Sequence, residues 1–262
     1  MTPIIVSVIV VGVIGLVSGL VLAIASVLME VKTDEKVAKL REILPGANCG
    51  ACGYTGCDGY AEALAKGETK PGLCAPGGAE MNNKLGEILG VEVDMAEPMA
   101  AFVMCNGTCD KVGNKMFYQG VDSCKGANTL YSGTKDCDYG CLGFGDCERA
   151  CPYGAIKVEN GCAVVNTELC TACSVCVRSC PKGIIGLLPL KKQAVVACSN
   201  KDKGAVARKV CQSACIACGK CVKACESGAI KVENNISRID SEKCTACKAC
   251  VDACPTHCIV FK

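Results

Sequence analysis

Hydrophobic and polar positions follow three different patterns along this chain. From Ile4 to Met29 the run "IIVSVIVVGVIGLVSGLVLAIASVLM" carries no charge at all. A helix of that length spans a hydrocarbon core of about 30 Å with room to tilt. Helical stretches are expected next, roughly from Asp34 to Leu44 and from Tyr60 to Lys66. Residues 81–100, "MNNKLGEILGVEVDMAEPMA", read as a linker or a peripheral helix. Beyond them the apolar segments shorten. "AFVMC" and "AVVAC" look like strands ending at Cys105 and Cys198, and "AIKVEN" occurs twice, each time as part of a strand pair. The expected fold is α+β: one N-terminal transmembrane helix (1–32), a small four-cysteine domain (33–80), a linker (81–100), and two tandem modules. The first module, with a flanking strand region, covers 101–190 and the second 191–262.

The apolar run has a competing reading as a cleaved leader, since Ala23-Ile24-Ala25 resembles a small-x-small cleavage site. No Lys or Arg precedes it, however, and it is too long for a leader's apolar region, so a retained anchor is expected. Lys32, Lys36, Lys39 and Arg41 follow the span, and the side rich in Lys and Arg is the cytoplasmic one. Gly12, Gly15 and Gly19 would let a second helix approach closely, although glycine is common in membrane helices in any case.

Composition changes the picture of the remainder. The 262 residues include 27 Cys, one His, no Trp and only ten Phe plus Tyr. Such a chain is poor in the side chains that supply most core burial, so something covalent or metallic must staple it. The cysteines fall in tight C-x2-C-x2-C runs, which disulfide geometry serves badly and metal clusters serve well. The net charge of +2 gives no polyelectrolyte signal for nucleic acid. His257, the single histidine, removes any mechanism built on a histidine pair.

Cys49, Cys52, Cys57 and Cys74 are spaced x2, x4 and x16 among glycines, and they form the first candidate metal site. Zinc also accepts four thiolates, but its sites usually pair two knuckles and only one is present, which favours a [4Fe-4S] cluster. A gapless repeat follows at an offset of 74: "CPYGAIKVENGCAVVNTELCTACSVCVRSCP" from Cys151 matches "CESGAIKVENNISRIDSEKCTACKACVDACP" from Cys225. Each half resembles the two-cluster ferredoxin plan, in which the fourth cysteine of a C-x2-C-x2-C-x3-C-P run binds the other cluster. That plan groups Cys215, Cys218, Cys221 with Cys254; Cys244, Cys247, Cys250 with Cys225; and Cys170, Cys173, Cys176 with Cys151. In "DCDYGCLGFGDCERACP" the register puts Phe144 where Cys218 stands. The nearby Cys137 is taken to fill the gap, giving Cys137, Cys141, Cys147 and Cys180.

Cys162 aligns with Ile236 and Cys258 with Ile184, so both read as small core residues. Of the remaining five, Cys105, Cys124, Cys198 and Cys211 would converge on a sixth cluster if the strands ending at Cys105 and Cys198 paired. Free thiols or a zinc site are the alternatives, and Cys109 is a substitute for one of the four. The cofactor count is five [4Fe-4S] clusters, or six with this last site.

These motifs in this order resemble the B-subunit family of the Rnf complex, the ion-translocating ferredoxin:NAD+ oxidoreductases of bacterial membranes, in a long form with two ferredoxin-like modules. The resemblance implies a single-pass electron-transfer subunit of the bacterial cytoplasmic (inner) membrane, with its iron–sulfur domains on the cytoplasmic side. It implies reduced ferredoxin as electron donor, and as partners the other subunits, including a flavin- and NAD-binding one and membrane subunits. Na+ or H+ would be pumped by the complex. Closed four-thiolate sets and the lack of a G-x-G-x-x-G fingerprint leave no complete active site in the chain itself. Input to another membrane oxidoreductase and a zinc scaffold are the rival readings. The basic run Lys191, Lys192, Lys201, Lys203, Arg208 and Lys209 is a candidate docking face for an acidic ferredoxin, or simply a solvated loop face.

Overall fold

The computed structural model describes residues 2–28, 34–93 and 97–262. Met29, at the end of the apolar run, and Lys32, in its basic flank, lie outside these ranges. Helix α1 (Thr2–Leu28) is 27 residues long, about 40 Å at 1.5 Å per residue. Its large side chains between Ile9 and Ile24 are exposed. A helix apolar on all sides and exposed along this stretch is suited to lipid.

The small domain begins with α2 (Glu35–Ile43), whose N-cap Asp34 accepts a hydrogen bond from the Lys36 amide at 3.0 Å. Helix α3 (Cys57–Lys66) starts on a cysteine and ends at Gly67, in the left-handed conformation that closes many helices. Residues 78–89, which include much of the expected linker, form α4 (Gly78–Leu89), and Met81 and Leu85 enter the same core as Leu40, Tyr60 and Leu64. Buried Asn82 on α4 donates to the carbonyls of Cys74 (3.1 Å) and Gly78 (2.8 Å) and accepts from the Gly72 amide (3.2 Å). One side chain therefore fixes the loop that carries Cys74.

The first module contains β1 (Met99–Val103), α5 (Cys124–Asn128), α6 (Asp146–Arg149), β2 (Ile156–Glu159), β3 (Cys162–Val165), α7 (Val175–Ser179) and β4 (Ile185–Pro189). The second contains β5 (Ala194–Val196), α8 (Gly204–Val210), α9 (Lys220–Lys223), β6 (Ile230–Glu233), β7 (Ile236–Ile239), α10 (Ala249–Asp252) and β8 (Ile259–Phe261). Each module has one hairpin, β2–β3 or β6–β7, and one antiparallel pair in which the leading strand meets the closing strand, β1–β4 or β5–β8. The pairing expected between the strands of Cys105 and Cys198 does not form. Each is taken up within its own module, where Val103 faces Ile185 and Val196 faces Ile259, the two isoleucines being equivalent in the repeat. The two pairs instead meet through side chains, with Phe102 packed against Val195 and Ala197.

Sulfur replaces hydrocarbon in both module cores. One combines Ile156, Ile184 and Ile185 with Cys141, Cys147, Cys162 and Cys176; the other combines Ile230, Ile236 and Ile259 with Cys198, Cys211, Cys215, Cys221, Cys250 and Cys254.

Candidate metal centres

The cysteine loops share one backbone device. Ala172, Ala217 and Ala246, each the residue before the second cysteine of a C-x2-C, have φ of +55°, +52° and +59°. Gly143 takes the same place, with φ +82°, in the irregular run. A left-handed alanine costs about 1–2 kcal/mol, and it turns successive amides toward one point, a concavity suited to an anion. Its recurrence at three equivalent positions marks a site the surroundings enforce.

Six groups of four thiols result. Cys74, pushed up to about 11 by burial, has Cys52, Cys57 and Cys49 around it. Cys151, Cys170, Cys173 and Cys176 line one cavity. In the second module, Cys250, pushed up to about 11 by burial, is ringed by Cys225, Cys244 and Cys247. Cys215 and Cys221 share the hydroxyl of Ser237, with Cys218 beside Cys221. Cys254 completes this group, reached through the thiol of Cys258, which lies against both Cys215 and Cys254.

The last two groups depart from the register reading. One cavity is lined by Cys124, Cys141, Cys147 and Cys180, the other by Cys105, Cys137, Cys198 and Cys211. Cys124 and Cys137 have exchanged places. Residues 106–123 fold over the first module and deliver Cys124 on α5, which Asp146 fastens to α6 by accepting from the Lys125 amide and the Ser123 hydroxyl, both at 3.0 Å. Phe144, standing where the regular run has Cys218, packs edge-on against Tyr118 of that segment at 5.5 Å. Cys137 is left to face the second module. A signal for this is present in the sequence: Cys137 precedes Cys141 by four residues as Cys211 precedes Cys215, and Cys211 has no place in its own module.

The shared group therefore takes Cys105 and Cys137 from one module and their counterparts Cys198 and Cys211 from the other. Cys105 Sγ accepts from the amides of Gly107 (3.4 Å) and Cys141 (3.3 Å). Cys198 Sγ accepts from those of Asn200 (3.5 Å) and Cys215 (3.3 Å), and Asn200 Nδ2 donates to Cys137 Sγ at 3.5 Å. Lys135 also lines this cavity and is 4% exposed. Among the described residues its Nζ donates to neutral acceptors, the carbonyls of Gly107 (2.9 Å) and Gly161 (2.7 Å). Buried ammonium groups are ordinarily paired with an anion. Four thiolates around a metal cluster would supply one, so the donor set and the buried cation both fit a net-negative [4Fe-4S] group. Among the described residues no three His, Cys, Asp or Glu side chains are gathered tightly enough to grip a single ion.

Three thiols stand outside the groups. Cys109 is exposed and lies over Gly161, where a Cβ would come within 2.4 Å of its Sγ. Cys162 and Cys258 are buried as expected for core residues. Each also touches candidate ligands: Cys162 donates to the Cys105 carbonyl at 3.4 Å and lies against Cys105 and Cys141, and Cys258 Sγ is 3.5 Å from Cys254 Sγ. Hydrogen bonds to the neighbouring thiolates hold both protons in place, raising Cys162 and Cys258. The basic run is divided: Lys191 and Lys192 line a groove with Lys262, Lys201 lines a separate cavity, and Arg208 and Lys209 are exposed on α8.

Comparison with known proteins places these centres in context. A family described as a putative Fe-S cluster matches residues 44–76, a 4Fe-4S binding domain matches 163–186, and a 4Fe-4S dicluster domain matches 214–258. The B subunit of the Na(+)-translocating ferredoxin:NAD(+) oxidoreductase complex of Acetobacterium woodii is 45% identical over 95% of this chain and 75% of its own length. The B subunit of the proton-translocating complex of Clostridium ljungdahlii is 39% identical over 92% and 85%, and that of the ion-translocating oxidoreductase complex of Methanosarcina acetivorans is 40% identical over 87% of each. The chain belongs to the Rnf B-subunit family. It is an iron–sulfur electron-transfer subunit of an Rnf-type complex. The six thiol groups are its candidate cluster ligands.

Proposed function

We propose that this subunit is a six-station relay that accepts electrons from reduced ferredoxin and passes them to the flavin- and NAD-binding part of the complex. When bound, each [4Fe-4S] group supplies one-electron exchange without bond making. The chain's own residues connect each station to a neighbour. Tyr153 lies near Cys173, Cys49 and Cys74, and the Arg178 guanidinium donates to the Cys49 carbonyl. The small domain is thereby joined to the Cys151 group, which shares a core with the Cys141 group. The amide of Cys141 then donates to Cys105, and the amide of Cys215 to Cys198. Beyond the shared group lie the Cys215 and Cys225 groups.

The observation that carries this reading is the pair of amide-to-sulfur contacts across the shared group, which removes the gap that would otherwise separate two independent ferredoxin modules. The anchor and the Lys and Arg residues after it support a single span with the metal centres in the cytoplasm. Ferredoxin is expected to dock near Lys191, Lys192 and Lys262, which border the groove beside Cys170. Na+ or H+ movement belongs to the partner membrane subunits, because α1 carries no charged residue.

Iron and acid-labile sulfide per anaerobically purified chain test the station count. Six sites give about 24 irons. A stable value near 20 after reconstitution would remove the shared station and divide the relay.

A further inference from the structure

Ser237 is 2% exposed, and the side-chain partners of its hydroxyl are sulfurs. Its Oγ lies 3.3 Å from Cys221 Sγ and 3.7 Å from Cys215 Sγ, while its amide reaches Cys215 Sγ at 3.5 Å. Against a thiolate only the hydroxyl can donate. The repeat supplies a built-in control. The equivalent residue, 74 positions earlier, is Ala163, whose amide also reaches its module's Cys141. The first module folds the same hairpin with no hydroxyl there. Each module also has one extra thiol against its candidate ligands, Cys162 in the first and Cys258 in the second. The hydroxyl occurs on one side only, so folding does not require it.

We propose that Ser237 is a potential-setting residue, whose hydroxyl donates to the Cys221 sulfur while its amide donates to that of Cys215, and that the hydroxyl holds this station at a higher reduction potential than alanine would. Reduction adds one negative charge to the group these sulfurs bind. A donor aimed at them stabilises the reduced form more than the oxidised form, and hydrogen bonds to sulfur are among the factors that set cluster potentials. Cys258, 3.5 Å from Cys254, lies against the same group.

The inference rests on the Cys215 group holding a cluster, and the test separates the two. Iron content and an EPR-monitored redox titration are measured on the anaerobically purified full chain for the unmodified protein, Ser237→Ala and Ala163→Ser. Ser237→Ala is expected to retain all its iron and to shift one titrating component roughly tenfold toward oxidation, about 59 mV for a one-electron couple. Ala163→Ser should shift a different component in the opposite direction. Full iron with unmoved midpoints in both variants would overturn the proposal while leaving the relay intact. Loss of about four irons from Ser237→Ala would also overturn it, by making the hydroxyl a folding group. An unmodified chain without iron would instead refute the relay reading on which the proposal depends.

Discussion

The two repeated modules keep the same cysteine spacing over their second halves and reach different solutions in their first halves. The second keeps the regular run, with Cys215, Cys218 and Cys221 all on one loop, and its ligands can be read from spacing alone. The first has Phe144 in place of the middle cysteine and recovers the fourth thiol from Cys124, seventeen residues before Cys141 in sequence and brought beside it by the segment 106–123. Both modules release the cysteine four residues ahead of the run, Cys137 and Cys211, to the group between them. A repeat keeps the outward-facing thiol even where it changes the inward-facing set, and this is how duplication can join two modules into one conductor.

Removing the iron should have the largest effect on this comparison. Much of both module cores is sulfur, and binding free energy at such sites is folding free energy. Chelation under reducing conditions is expected to abolish the protease resistance of residues 97–262 in both modules together. Survival of one module would show that it has a core independent of metal.

Lysine offers the next contrast. Lys135 and Lys209 are repeat equivalents, yet Lys135 is buried beside the shared group and Lys209 is exposed. Lys135→Met should cost about 3 kcal/mol, the scale of an uncompensated buried charge. Lys209→Met should stay within about 0.5 kcal/mol. Urea unfolding under anaerobic conditions measures both, and equal effects would remove the counter-charge role given to Lys135.

A smaller, sharper effect comes from making the first module regular. Cys124→Ser should lose about four irons, and adding Phe144→Cys should restore them by placing a thiol where Cys218 stands in the repeat. If the iron does not return, the 106–123 segment does more than supply a ligand. Smallest of all, Cys109→Ser should leave the iron unchanged and alter stability by less than about 0.5 kcal/mol, since Cys109 sits on the surface of a hairpin turn.

Much of this architecture is legible in the sequence wherever a ligand set is local. The four-cysteine domain, the repeat and the two-cluster plan all follow from spacing, because neighbouring thiols on one loop can reach a common centre without knowledge of the tertiary fold. Spacing misleads where distance along the chain and distance in space diverge. Cys137 is near Cys141 in sequence, which makes it the obvious replacement, but its loop points across to Cys211. The strand before Cys105 reads as a partner for the strand before Cys198, whereas each finds its hydrogen-bond partner in the closing strand of its own module and offers only side chains to the other. Lys135, in the polar stretch "SGTKDCD", looks solvated until the fold buries it. Ser237 is invisible for the same reason, since a serine in a short strand gives no hint that its hydroxyl will meet sulfur.

The central claim is that Cys137 and Cys211 serve one site shared by both modules while Cys124 serves another. Iron per chain in two double variants tests it most directly. Cys137→Ser with Cys211→Ser should lose only about four irons, no more than either change alone, and Cys124→Ser with Cys137→Ser should lose about eight. Loss of about eight irons from the first pair would contradict the account and return Cys137 to the Cys141 group.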